Sequence, residues 1–153
     1  MIALSPGPID PAGLLAEFLA RSAGAGAIAS FTGLVRELHE GQPVEGLWLD
    51  HHERITMQAI AEIGKAARAR FALTARAIVH RVGAVAAGEP IVFVAAASAH
   101  RRAAFDAVDY MMDRLKTDAP LWKRETRSDG AHWIEARPDD HLDRARWEDV
   151  DGA

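Results

Sequence analysis

The chain has 153 residues, 49% hydrophobic and 26% charged, with a formal charge of −4 and no cysteine. That size suits one domain burying roughly 70% of the surface its unfolded form would expose, and the composition excludes a disordered or collagen-like polymer. The acidic balance argues against a nucleic-acid partner, and the absent thiols exclude disulfides, thiolate metal sites, persulfide chemistry and a cysteine nucleophile, so any sulfur handled here is carried by another molecule.

The start MIALSPGPID lacks the basic and apolar regions of a leader, and the longest apolar run, Ile91 to Ala97, is far below the ~18 to 20 residues of a membrane helix. The expectation is a soluble, cytoplasmic protein with no membrane partner. Asp10 and Pro11 read as N-cap and first residue of a helix carrying Leu14, Leu15, Phe18 and Leu19, ending near Gly24. A strand is expected over residues 27–32, entered through glycines and followed by the polar loop RELHEGQP. The alternation in EGLWLDHH suits a strand with one wetter face.

Ala59, Ile60, Ile63, Ala67 and Phe71 recur at three- and four-residue steps, which predicts an amphipathic helix over residues 56–71. Strands follow at 74–81 and 89–97, the second so continuously apolar that it reads as central. Ser98 is the expected cap of a helix over residues 99–116 with Phe105, Val108, Met112 and Leu115 as its buried stripe, and Pro120 forbids its continuation. LWKRET and HWIEAR, joined through Ser128, Asp129 and Gly130, read as a hairpin. The expected organisation is one α+β domain over residues 1–137, helices on a mostly antiparallel sheet, then a charged, loosely attached tail over 138–153 in which Leu142 and Trp147 could dock.

Three segments could carry chemistry. SAHRR at 98–102 gathers His100, Arg101 and Arg102 where a buried strand turns into a helix, an anion site or simply a cap and a solvated surface. LKTDAPLWKRE at 115–125 places Lys116 at a helix end and Lys123 on the next strand. Two ammonium groups in one site would lower each other's proton affinity and attract an anion; the bland alternative is helix-end charge complementarity and a solvated strand face. Only three of the eighteen cations are lysine, Lys65 being the third, which singles out this pair. Arg36 follows SFTG in a polar loop and could clamp an anion through two N–H groups. GAGAIA at 24–29 precedes a strand and so is no dinucleotide fingerprint, and His51, His52 and Glu53 are adjacent strand residues pointing to opposite faces, read as structural and not as a metal site. The carboxylates Asp139, Asp140, Asp143, Glu148, Asp149 and Asp151 read as a solvated tail.

Taken together, SFTGLVR at 30–36, IVHRVG at 78–83, IVFVAAASAHR at 91–101, LKTDAPLWKRE at 115–125 and WIEAR at 133–137 resemble the large subunit of molybdopterin synthase, the MoaE family, over roughly residues 10–147. The resemblance implies an α/β hammerhead-type domain with a small antiparallel β subdomain. It also implies a homodimer whose two ends each hold one small ubiquitin-like, MoaD-like subunit, a heterotetramer in all. In that family the small subunit's C-terminal Gly-Gly thiocarboxylate donates sulfur to cyclic pyranopterin monophosphate, two transfers making the molybdopterin dithiolene, with no metal or redox cofactor. By motif, the family lysines fall on Lys116 and Lys123, the histidine-arginine pair on His100 and Arg101, and the loop arginine on Arg36. Arg124 and Arg137 are further substrate-binding candidates. Leu34 departs from the pattern, standing where relatives are expected to present lysine. Readings from other classes are a noncatalytic module binding an anionic peptide tail and a small phosphate-ester enzyme acting alone.

Geometry adds one expectation. His100 and Lys116 are sixteen residues apart, about 24 Å along a straight helix, so a site using both combines two protomers.

Overall fold

The computed structural model describes residues 1–148. In chain order the elements are β1 (Ile2–Ser5), α1 (Pro11–Ala20), β2 (Ala27–Leu34), β3 (Leu38–His39), β4 (Gln42–Pro43), β5 (Gly46–His51), α2 (Glu53–Arg70), β6 (Ala75–Arg81), β7 (Gly83–Ala86), β8 (Pro90–Ser98), α3 (Arg101–Asp118), β9 (Leu121–Arg127), β10 (Gly130–Ile134) and α4 (Pro138–Ala145). This is the expected α+β class, but with two four-stranded sheets where one was anticipated: β1-β6-β8-β2, in which only β1 and β6 run parallel, and β10-β9-β5-β7, antiparallel throughout.

The first sheet is built on β8, whose residues from Ile91 to Ser98 are all buried, as the unbroken apolar run requires of a central strand. Its alternation feeds two cores. Val92, Val94 and Ala96 face a core shared with Ile60, Ile63 and Ala67 of α2 and Ala104, Ala107, Met111 and Leu115 of α3. Phe93, Ala95 and Ala97 face the other way, toward Phe18, the one buried residue of α1. The small side chains at 95–97 let helices approach from both faces. Each fully buried large side chain, such as Phe93 or Met111, contributes about 1.5–3 kcal/mol by leaving water.

Several local expectations are corrected. The helix α2 starts three residues before Thr56, because the His52 ring accepts the Ile55 N–H and caps the turn; Thr56, fully buried, donates its hydroxyl to the Pro120 carbonyl at 3.0 Å. The N-cap of α3 is His100, not Ser98: the buried Ser98 hydroxyl accepts the His100 N–H and donates to the His100 carbonyl, turning the chain before the helix begins. The polar loop holds the small hairpin β3–β4, turned through Glu40 and Gly41 at positive φ, and β7 is a strand with no sequence signal.

Where loose attachment was expected, residues 138–148 dock on α3. The tail's arginines meet carboxylates that α3 presents to them: Arg144 lies 2.7 Å from Asp118, and Arg146 2.7 Å from Asp113. Trp147 donates to Asp113 and packs edge-on against Phe71 and Tyr110, while Leu142 stays exposed. Glu148 pairs with Arg144; Asp149 and Asp151 lie outside the described residues.

Candidate functional site

The site grows from the junction between α3 and β9. Pro120 ends the helix, the chain reverses, and Lys116 on the last turn of α3 is carried back beside Lys123 of β9. On β9, Lys123 stands opposite Leu49 of β5 and Ile134 of β10, on the face shared with the buried Glu125. Burial lowers the proton affinity of the Lys123 ammonium, the Lys116 charge lowers it further, and Asp140 only partly offsets this. The Lys123 charge is felt at His80 of β6, which is almost fully buried and donates from Nδ1 to the Arg81 carbonyl at 2.7 Å. Desolvation brings His80 down to about 4, with the backbone bond opposing and Lys123 reinforcing the shift, so the imidazole is neutral at physiological pH.

Asp140 closes the cluster. One oxygen takes the Lys116 ammonium at 3.0 Å and the other the Arg137 N–H at 2.9 Å. Burial works against its charge, but these two donors outweigh it and hold the carboxyl below the usual range. Arg137, the N-cap of α4, is thereby fixed beside Lys116, with its own guanidinium exposed and 3.5 Å from Asp139.

A second network positions Arg36. His39 lies 3.0 Å from the Glu125 carboxylate, which also takes Arg127 at 2.6 Å, so the hairpin following Arg36 hangs from β9 two residues beyond Lys123. Backbone bonds between Val35 and Glu89 and between Val44 and Glu37 fix both sides of the exposed Arg36. Arg124 points to the opposite face of β9, its guanidinium 5.4 Å from the Trp133 ring. His100 and Arg101 sit exposed at the far end of α3, which runs unbroken to Asp118; within one chain they do not join the lysines. Gly26 shapes that far end, since a Cβ there would stand 2.2 Å from the Ala99 carbonyl oxygen.

The family model described as MoaE protein matches residues 4–118. A molybdopterin synthase catalytic subunit from Caulobacter vibrioides is 45% identical over 148 residues, 97% of each chain. The chain belongs to the MoaE family. A solved MoaE protein from Burkholderia ambifaria, a molybdopterin biosynthesis protein by its name, superposes with a TM-score of 0.82 at 38% identity over 97% of both chains. The same fold occurs, at 20% identity and a TM-score of 0.75 over 89% of this chain and 91% of that one, in a Helicobacter pylori complex of subunits 1 and 2 of molybdopterin-converting factor. As a MoaE-family chain with relatives of this likeness, it is an enzyme, a sulfurtransferase of the molybdopterin synthase type, and the reading as a noncatalytic tail-binding module is not favoured.

Within the MoaE fold, sequence reasoning missed three participants. Asp140 read as a solvated carboxylate because nothing in the local sequence says that α4 folds back onto α3. His80 was visible in IVHRVG, but its neutral, buried state depends on the sheet around it. Glu125 stood next to the basic pair in WKRE, with its partners His39 and Arg127 out of sight.

Proposed function

We propose that the chain takes sulfur from the C-terminal Gly-Gly thiocarboxylate of a small ubiquitin-like subunit and delivers it to cyclic pyranopterin monophosphate, two transfers giving the molybdopterin dithiolene. The observation that carries this reading is the meeting of Lys116 and Lys123 at the α3–β9 junction, where one ammonium is destabilised by burial and by its neighbour. Donor tail and cyclic phosphate are both anions, so bringing them together requires cations that offset their repulsion and meet the charge that develops during transfer.

Lys116 faces the tail's terminal carbonyl and the tetrahedral acyl intermediate. Lys123, with its lowered proton affinity, holds or protonates the substrate. Arg36 and Arg137 grip oxygens of phosphate and pterin from the same protomer, and His100 and Arg101 do so from the partner across a homodimer. Arg124 is the remaining candidate for substrate contact, from the opposite face of β9. The continuous α3 supports the shared site: Arg101 and Lys116 are fifteen residues apart on one unbroken helix, about 22 Å. The working assembly is a heterotetramer of two large and two small subunits in the cytoplasm; among the described residues no helix is long and apolar enough to cross a membrane.

The experiment mixes the protein with a thiocarboxylated small subunit and cyclic pyranopterin monophosphate and assays the dithiolene product. Product is expected, and it is expected to vanish when the partner lacks its last two glycines, because an extended tail must thread into the site to place its terminus against the cations. Sulfur insertion by the truncated partner would move the donor elsewhere and overturn the proposal.

A further inference from the structure

At the opposite end of the first sheet, three elements converge on a cavity of about 220 Å³. Arg21 follows α1, Arg68 lies in the last turn of α2 and Arg76 stands on β6; Met1, Phe18, Thr74 and Ala75 complete the wall, and among the described residues no carboxylate lines it. Two of the elements lie on opposite faces of the sheet, so the fold itself brings these guanidinium groups together.

Arg76 is seated in a prepared slot. Its side chain crosses α2 at Gly64, where a Cβ would stand 2.8 Å from Arg76 Nε and 3.1 Å from Ile2 Cδ1, so any larger residue would push the arginine out. Arg76 Nε is buried and has no hydrogen-bond partner among the described residues. Nε itself lies against α2 at Gly64, so the slot fixes the stem of Arg76, and the residue reaches the cavity wall beside Arg21 and Arg68. The cations also act on one another: burial and the Arg68 charge depress Arg76, and burial with Arg76 and Arg21 depresses the Met1 amine, which the Glu17 carboxylate partly opposes and which donates to the Arg76 carbonyl at 2.8 Å. The carboxylate that Glu17 offers Arg21 at 2.8 Å is an exposed pair one turn back on α1, not part of the wall.

We propose that this cavity binds a small phosphate dianion, free or as the terminal group of a phosphate monoester, through Arg21, Arg68 and Arg76. Guanidinium groups match tetrahedral oxyanions in two-pronged geometry, and three of them from separate elements surround such an anion as one lysine could not. The volume is room for roughly seven waters, enough for the anion and the start of an ester substituent. This site is separate from the lysine cluster. Arg76 and His80 are four residues apart on β6, about 13 Å, and it is His80 that neighbours Lys123.

Calorimetric titration of the full chain with inorganic phosphate, and separately with a nucleoside monophosphate, at ionic strength held constant with chloride, tests the proposal. Saturable binding of at least one is expected; binding of both assigns the site to any terminal phosphate, and binding of the nucleotide alone assigns it to the monoester. Arg76→Gln and, because it sits on the surface, the fold-neutral Arg68→Ala should each weaken that binding at least ~10-fold, the loss of one charge-assisted contact. A Lys116→Ala, Lys123→Ala, Arg36→Ala triple variant should retain it. The proposal is overturned if neither anion binds, if both arginine variants bind as the wild type does, or if the triple variant alone loses the binding.

Discussion

Asp140 Oδ1 accepts the Lys116 ammonium at 3.0 Å across 24 residues of sequence, and the same carboxylate draws the neighbouring Lys123 back toward its charged form. The C-terminal helix therefore pairs with one lysine of the α3–β9 junction and partly offsets the lowered proton affinity of the other, although neither belongs to it. This coupling gives the site a pH signature.

Lys123 holds its proton less tightly than an ordinary lysine, so if its ammonium is the working form, turnover is present at lower pH and is lost as pH rises through that lowered value. Asp140→Asn removes the one charge that raises it, and the alkaline limb of the pH–rate profile should move to lower pH. In Lys123→Arg, whose guanidinium does not release its proton, the limb should disappear from the accessible range even though the rate falls. An unchanged limb in both variants would assign it to another group.

Lys116→Ala and Lys123→Ala should each lower turnover at least ~10²-fold, the scale of losing one stabiliser of developing charge, with circular dichroism and melting temperature little changed for the exposed Lys116. Lys116→Arg separates charge from shape. Full activity there would mean that a positive charge at the helix end suffices.

The shared site predicts complementation. His100→Ala, Arg101→Ala protein mixed with Lys116→Ala, Lys123→Ala protein, under conditions that exchange subunits, makes about half the dimers hybrid, each with one intact site of two, so activity should return to about a quarter of wild type. Hybrids confirmed by mass but no more active than the parents would overturn the shared site, and with it the substrate contacts assigned to His100 and Arg101.

His80 gives a stability prediction. Its folded-state pKa, about 4, lies below the ordinary 6.5, so the unfolded chain binds the proton first and stability falls as pH drops from about 6.5 toward 4. From pH 7 to pH 5 the loss should be about 2 kcal/mol, at 1.36 kcal/mol per pH unit below 6.5, measured by urea unfolding. The depressed carboxylates Asp118, Asp140 and Glu125 stabilise the fold above their ordinary values of 3.8, 3.8 and 4.5, and that stability is lost only as pH falls below them. His80→Asn should flatten the slope between pH 7 and pH 5 whatever it does to absolute stability.

What the sequence by itself determined is local or periodic. The run of Val, Phe and Ala in β8 can only be buried on both faces, the stripe of α2 repeats at the helical period, Asp10 and Pro11 open α1, and Pro120 cannot continue α3; each follows from bonding or sterics within a few residues. The motifs likewise singled out Lys116, Lys123, Arg36, His100 and Arg101, because unusual residue types at fixed offsets are visible without coordinates. Only the tertiary structure decided which charges meet. Asp140 reaches Lys116 because Arg144 and Arg146 find carboxylates on α3 and Trp147 finds Phe71 and Tyr110. His39 reaches Glu125 across 86 residues, and Arg21, Arg68 and Arg76 share a cavity because α1 and α2 end where β6 begins. Electrostatic energy depends on distance and burial in space, and neither is a function of separation along the chain.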